Sequence, residues 1–437
     1  MFKKNISSFQ FFFDQKNYNL LLIWLSLFFF IFINFVYFYL HLNLKIEVNN
    51  YAFSELFINY QAGFIRRGLL GEVAWQLNDL FSVKPINFFS IFFISIHLIT
   101  VLIFFYLFKK YIISKSIFVL VFFSPALVLF HIYDPNLFYI KDSIVKLTVL
   151  FHSFLFYYFV IEKKQTIKYF FYLKFFLIPF LFLVILTHEY QIFFLGIHYL
   201  ISLGTIKKKE DKKKIIKTYL PLFLPITLVF IFNGNQEQLE RLNIILSKFD
   251  VQLNDYLIGS LYKFVGGSYK WHLYYFTYRD FLYLLLSFIL SVVIIYLLFE
   301  KLISKKILKL NSFFQKKYYI YFIPTFLPFF FTADHGREFS LIAFYLIAFY
   351  STLNLQQNKL TFLCEKINND ISKRLIIFFF LIFYIFMWKL DQFAGFGFKN
   401  QTNTMFESSL FAEFVKFIKF LYSYVDLNII NLPEIKL

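Results

Sequence analysis

Cysteine is nearly missing from this chain, with Cys364 alone, and arginine is scarce, six residues against 38 lysines. A single thiol excludes an internal disulfide and any metal site built from several thiolates. Charged residues make up only 16% of the 437, so long windows lack the polar face that a water-exposed helix must show. Glycine-rich phosphate loops, HExxH, G-x-S-x-G and CxxC are all absent, which removes the usual supports for nucleotide-driven transport and for zinc or serine hydrolysis. There is no internal repeat, and no pair of interrupted apolar segments points to an inverted-repeat transporter.

What the chain has instead is apolar length. Hydrophobic residues reach 59% and aromatics 25%, and runs of roughly 20 apolar residues, enough to cross a bilayer, recur from end to end. The fold class is therefore all-α, a polytopic membrane helical bundle forming one domain over 1–437. Spans are expected near 19–42, 86–108, 116–132, 143–161, 169–186, 190–205, 216–232, 279–299, 318–332, 338–354 and 374–390, about eleven in all. The first follows Lys3, Lys4 and Lys16 with no small-residue cleavage pattern after it, and reads as a retained anchor.

Lysine sets the topology. With a cytoplasmic N-terminus, the inner segments 1–18, 109–115, 162–174, 207–217, 300–317 and 355–374 hold 27 basic and 7 acidic residues, and the rest of the chain holds 17 and 19. All the excess positive charge then falls on one side, as the positive-inside rule requires. The net charge of +18 thus records orientation and does not call for nucleic acid as a partner.

The same sorting puts Arg66, Arg67, Arg241, Arg279 and Arg337 on the outer side and only Arg374 inside. A guanidinium is a planar fork that grips phosphate or carboxylate oxygens in pairs, so arginine kept to one face points to an anion bound there. The first outer loop, 43–85, carries INYQAGFIRRGLLGE and is semi-apolar throughout. Short amphipathic helices lying at the interface are expected in it, with Glu55, Arg66, Arg67 and Glu72 facing a cavity and Gly63, Gly68 and Gly71 allowing close approach. Three outer turns add polar groups: Lys141 and Asp142 at the mouth of the fourth span, with Asp134 a helix cap; His188 and Glu189 in THEY; and Asp334, His335, Arg337 and Glu338 in ADHGREF. The long outer loop 233–277 contains Leu239, Leu242, Leu246 and Phe249 at helical spacing, a second interfacial helix. The C-terminal segment 391–437 has a Thr404 to Glu407 capping box before another amphipathic stretch. Both read as lids or anchors, and the KKKEDKKK run at 207–214 as a solvated inner loop.

With GFIRRGLLG and the DHGREF turn in view, the chain resembles the GT-C superfamily of integral-membrane glycosyltransferases, and more loosely bacterial membrane proteins of surface-polysaccharide clusters. The resemblance implies a multi-pass protein of the bacterial inner membrane with a cytoplasmic N-terminus, and eleven spans then put the C-terminus on the extracytoplasmic side. It also implies a polyprenyl-phosphate-linked sugar donor and a glycan or lipid-linked acceptor, used at the outer face. The family's usual DxD, ExD or DD pair is missing from the first outer loop, where Glu55 is the acid best placed to serve as base, with Asp334 and Glu189 as substitutes. Arg66, Arg67 and Arg337 would hold the phosphate, helped by Lys141, His188 or His335. No metal or other cofactor is expected, since arginines can supply the positive charge. The competing expectations are a polysaccharide polymerase of the O-antigen type and a non-enzymatic flippase or transporter of lipid-linked oligosaccharide.

Overall fold

The computed structural model describes residues 51–109, 137–204, 209–249, 320–328 and 335–354, with isolated positions between 122 and 133, at 251 and 253, and between 282 and 291. Among the described residues every regular element is helical. Expectations for 1–50, Asp134, most of 250–319, Asp334 and 355–437, including the first and last spans and the C-terminal segment, lie outside them.

Four helices are long and apolar enough to cross a membrane: Pro85–Leu107, Asp142–Glu162, Thr166–Thr187 and Lys212–Ile231. They fall on expected spans with ends shifted by a few residues. We label the helices used below α1 (Leu69–Phe81), α2 (Pro85–Lys109), α3 (Asp142–Glu162), α4 (Thr166–Thr187), α5 (Gln191–Leu203), α6 (Lys212–Ile231), α7 (Gln236–Leu246) and α8 (His335–Asn354). The 25 residues of α2 reach about 37 Å at 1.5 Å per residue, beyond the roughly 30 Å of a hydrocarbon core. The 13 residues of α5 reach only about 20 Å, so this helix alone falls short of a crossing.

Helix α3 is the centre of the bundle. It is the most buried of the four long helices and packs against α2, α4, α5 and α8, whereas α6 lies at the periphery and leaves Phe223, Leu224 and Ile231 exposed. Two of the long helices change pitch: α3 widens to π-type coil at Phe156–Glu162 and α4 at Leu173–Leu177.

The loop that precedes α1 packs its apolar residues into the protein. Phe53, Leu56, Phe57 and Ile58 are buried, and Phe53 and Phe57 meet Phe89 of α2 edge to face, with Phe53 also against Tyr139. Burying these large rings among other side chains removes more apolar surface from contact with water than a half-immersed helix would. The chain then turns at Gly63, φ +110, and runs back so that α1 crosses 56–58 at Gly71. A Cβ at Gly71 would stand 2.0 Å from the Ile58 carbonyl oxygen, so only glycine fits. Helix α7 starts from an Asn235–Gln238 capping box and buries Leu239, Leu242 and Leu246. Behind it Phe249 meets Trp75 of α1, so this segment lies against that loop.

Candidate functional site

Four pieces of chain deliver ionisable side chains to one end of the bundle: the 55–67 loop, the start of α3, the α4–α5 break and the first turn of α8. The break forms because His188 takes extended backbone (φ −157, ψ 107), which stops α4 at Thr187 and leaves His188 and Glu189 between two helices. Glu55, Arg66, Arg67, Lys141, Asp142, His188, Glu189 and Arg337 are all buried.

Arg67 is the hub. Its Nε donates to both Glu189 oxygens at 2.8 Å, its Nη2 donates to Glu189 Oε1, and its Nη1 donates to Glu55 Oε1 at 3.1 Å. Arg67 also has φ 68, a left-handed conformation that costs a non-glycine residue on the order of 1 kcal/mol or more. The side-chain bonds and the Lys141 Nζ donation to the Arg67 carbonyl, 3.1 Å, hold it there. Lys141 Nζ also donates to the Glu55 carbonyl at 3.2 Å and lies 3.7 Å from Glu55 Oε1. Arg66 is placed by its backbone N–H, which donates to the Phe232 carbonyl at 3.0 Å, and its Nη1 lies 3.5 Å from Glu189 Oε1.

On the other side, Arg337 forks onto Asp142, Nε to Oδ2 at 2.8 Å and Nη2 to Oδ1 at 3.0 Å, while His188 Nε2 donates to the same Oδ1 at 2.7 Å. His188 and Glu189 are chain neighbours, so the Arg337–Asp142 half and the Arg67–Glu189 half form one network. Arg337 also stacks over Tyr190, 5.6 Å to the ring centroid.

Burial alone would raise the Glu55 carboxyl, but Lys141 first and then Arg67, His188 and Arg337 bring it below its ordinary value of 4.5. Glu189 is likewise raised by burial, and Arg67 and Arg66 outweigh this to hold it well below. Lys141 is pushed down to about 8 by burial, opposed by Glu55 and reinforced by Arg67. Both acids are therefore carboxylates at neutral pH. Among the described residues, four cations (Arg66, Arg67, Lys141, Arg337) then face three carboxylates (Glu55, Asp142, Glu189).

Compared with protein-family models, with curated proteins and with solved structures, the chain matches none.

The residues named from sequence do not all belong to this cluster. Glu72 is partly exposed and holds a turn, accepting from the Tyr60 backbone N–H at 2.9 Å and from Gln61 Nε2 at 3.0 Å. Arg241 pairs with Glu237 one turn away on the exposed face of α7. Asp334 and the side chain of His335 lie outside the described residues. Lys146 is a group that charge counting passed over. Its Nζ donates to the Leu127 carbonyl at 3.0 Å and to Ser340 Oγ at 2.6 Å, flanked by the Phe130 and Phe344 rings. The signal was its position, one helical turn after Asp142 inside an apolar run. Among the described residues no three His, Cys, Asp or Glu side chains converge as a metal site would need. A groove of about 430 Å³ between α4 and α6, lined by Lys174, Phe175, Phe182 and Lys217 among others, contains no residue of the cluster.

Proposed function

We propose that the chain is a multi-pass membrane glycosyltransferase of about eleven spans that moves a sugar from a polyprenyl-phosphate donor to a glycan or lipid-linked acceptor at the extracytoplasmic face. The observation that carries this reading is the buried cluster in which Arg66, Arg67, Lys141 and Arg337 converge on Glu55, Asp142 and Glu189 through guanidinium forks. A phosphate group fits the same paired N–H geometry that Glu189 and Asp142 now occupy.

In the reaction the acceptor oxygen bonds to the anomeric carbon as the bond from that carbon to the donor phosphate oxygen breaks. Polyprenyl phosphate leaves with its charge held by Arg66, Arg67, Lys141 and Arg337, and the hydroxyl proton passes to a carboxylate. Glu55 suits that role among the three acids. Both oxygens of Asp142 and of Glu189 are engaged by donors, whereas Glu55 Oε2 carries no hydrogen bond among the described residues. The donor phosphate would also draw Lys141 and Arg67 away from Glu55 and so restore basicity to it.

The test is transfer from a synthetic polyprenyl-phosphate sugar by the full chain reconstituted in vesicles, with product and released polyprenyl phosphate both measured. A single sugar added per acceptor supports the transferase, and a ladder of polymer would reassign the same cations to a polymerase. Donor movement between leaflets without bond cleavage would replace both with a flippase.

A further inference from the structure

Polar side chains are not confined to the cluster. A second set lies inside the bundle and joins α3, α4, α5, α6 and α8 in one run of hydrogen bonds. Tyr219 OH lies 3.0 Å from Ser202 Oγ, Ser202 Oγ lies 3.1 Å from Tyr169 OH, and Tyr169 OH lies 2.7 Å from His152 Nε2. His152 Nδ1 faces His198 Nδ1 at 3.0 Å, and His198 Nε2 lies 3.2 Å from Thr148 Oγ1. Every member but Tyr219, which is half-buried, is buried.

Fixed acceptors set the polarity of this run. The hydroxyl protons of Thr148 and Tyr345 go to oxygens that can only accept, the Val145 carbonyl at 2.7 and 2.9 Å or Gln191 Oε1 at 2.9 and 3.2 Å. Thr148 therefore accepts from His198 Nε2–H, which leaves His198 Nδ1 as the acceptor of the proton on His152 Nδ1. His152 Nε2 then accepts from Tyr169, Tyr169 from Ser202 and Ser202 from Tyr219. Each link is a group that gives one proton and takes another, all pointing the same way. The two imidazole planes lie within 4° of each other and share a single proton.

Position gives the run its two ends. Thr148 stands six residues into α3 from Asp142, about 9 Å below the ionic cluster. Tyr169 and Tyr219 sit at the other end, beside Lys163, Lys164, Lys168 and the lysines of 212–217. The π-type segments Phe156–Glu162 and Leu173–Leu177 begin four residues after His152 and after Tyr169, and wide turns of this kind gather at functional places in helices.

We propose that Tyr219, Ser202, Tyr169, His152, His198 and Thr148 form a proton-conducting chain through the bundle, from its lysine-rich end to the foot of the ionic cluster. A proton bonds to the Tyr219 oxygen as the tyrosine's own proton moves to Ser202, and each following O–H or N–H bond breaks as the next forms. One proton enters at Tyr219 and one leaves when the Thr148 O–H bond breaks and its proton bonds to a water molecule on the cluster side, with no oxidation or reduction. Rotation of the hydroxyls and turning of the imidazole rings restore the starting polarity. Beyond Thr148, Gln191 Oε1 lies 2.9 Å away, and His188, three residues earlier and bonded to Asp142, is the first titratable group of the cluster. Histidine chains inside membrane bundles serve as proton relays because their partners hold them ready to exchange. The proposal does not rest on sugar transfer.

The test uses the full chain in vesicles that contain a pH-sensitive dye, with a potassium diffusion potential imposed by valinomycin. The wild-type protein should carry protons faster than protein-free vesicles. Tyr169→Phe and Ser202→Ala each remove one oxygen and should lose that flux. Ser153→Ala, which removes a buried hydroxyl outside the run, should keep it. His152→Phe should also lose it, but Tyr169→Phe decides the matter should that larger change fail to fold. Wild-type flux no greater than protein-free vesicles would overturn the proposal. So would Tyr169→Phe and Ser202→Ala conducting like wild type, or Ser153→Ala losing as much as they do, which would make the run a set of interhelical bonds only.

Discussion

Replacing Glu189 with glutamine tests how the cluster is held and what it is for. Glu189 is buried and opposes two guanidinium groups, Arg67 through Nε at 2.8 Å and through Nη2, and Arg66 through Nη1 at 3.5 Å. The amide keeps the shape and one acceptor oxygen but removes the charge, while Glu55 stays 3.1 Å from Arg67 Nη1. Removing one partner of a buried ion pair costs about 3–5 kcal/mol, and the retained oxygen puts this change near the lower figure. At about 1.4 kcal/mol per decade, that is roughly a hundredfold in the folded population. Thermal unfolding in detergent should show it as a fall in Tm on the order of 3 °C. The second readout is stabilisation by a short-chain prenyl phosphate. Cations released from Glu189 should bind it more tightly, so the added Tm should be larger in Glu189→Gln than in the wild type. An unchanged Tm would show that the pair contributes nothing to stability. A destabilised variant with no gain from prenyl phosphate would refute the claim that these cations await an anion.

Arg67→Lys preserves charge but not the fork, and at about 1.5–3 kcal/mol per charge-assisted bond it should weaken prenyl phosphate binding about tenfold or more, measured by titration calorimetry in detergent. Glu55→Gln should leave that affinity nearly intact while abolishing turnover, so a variant with full turnover would pass the base role to another carboxylate. Because Lys141 is pushed down to about 8, it loses its proton as pH rises through that value in the ligand-free protein. Prenyl phosphate affinity should therefore fall between about pH 7 and 9, whereas an ordinary lysine would keep it level to near 10. The carboxylates act in the opposite range. Glu55 and Glu189 both sit below the ordinary 4.5, so their contribution to stability is present above that pH and is lost only as pH falls through their lowered values. Gly71→Ala should lower Tm without affecting residual turnover per folded molecule, since the added Cβ meets the Ile58 carbonyl and no member of the cluster.

Composition and periodicity alone determined that this chain folds into apolar helices. The extents of α2, α3, α4 and α6 were readable to within a few residues, because a charged or turn residue ends each run and the physics of an apolar surround acts locally along the chain. The scarcity of arginine singled out Arg66, Arg67 and Arg337, and polar turns singled out Lys141, His188 and Glu189. Pairing was another matter. Arg67 and Glu189 are 122 positions apart and Arg337 and Asp142 are 195 apart, and nothing in either segment's pattern names the other. Amphipathic spacing in the first loop shows that a face is buried without saying whether lipid or protein covers it. Only packing put Phe53 and Phe57 against α2 and turned the loop's charges inward. The His152–His198 contact was likewise invisible, two lone histidines in separate apolar runs, each unremarkable until the helices that carry them meet. Local chemistry chose the helices and the candidate charges, while long-range burial decided which charges neutralise one another and which polar groups connect.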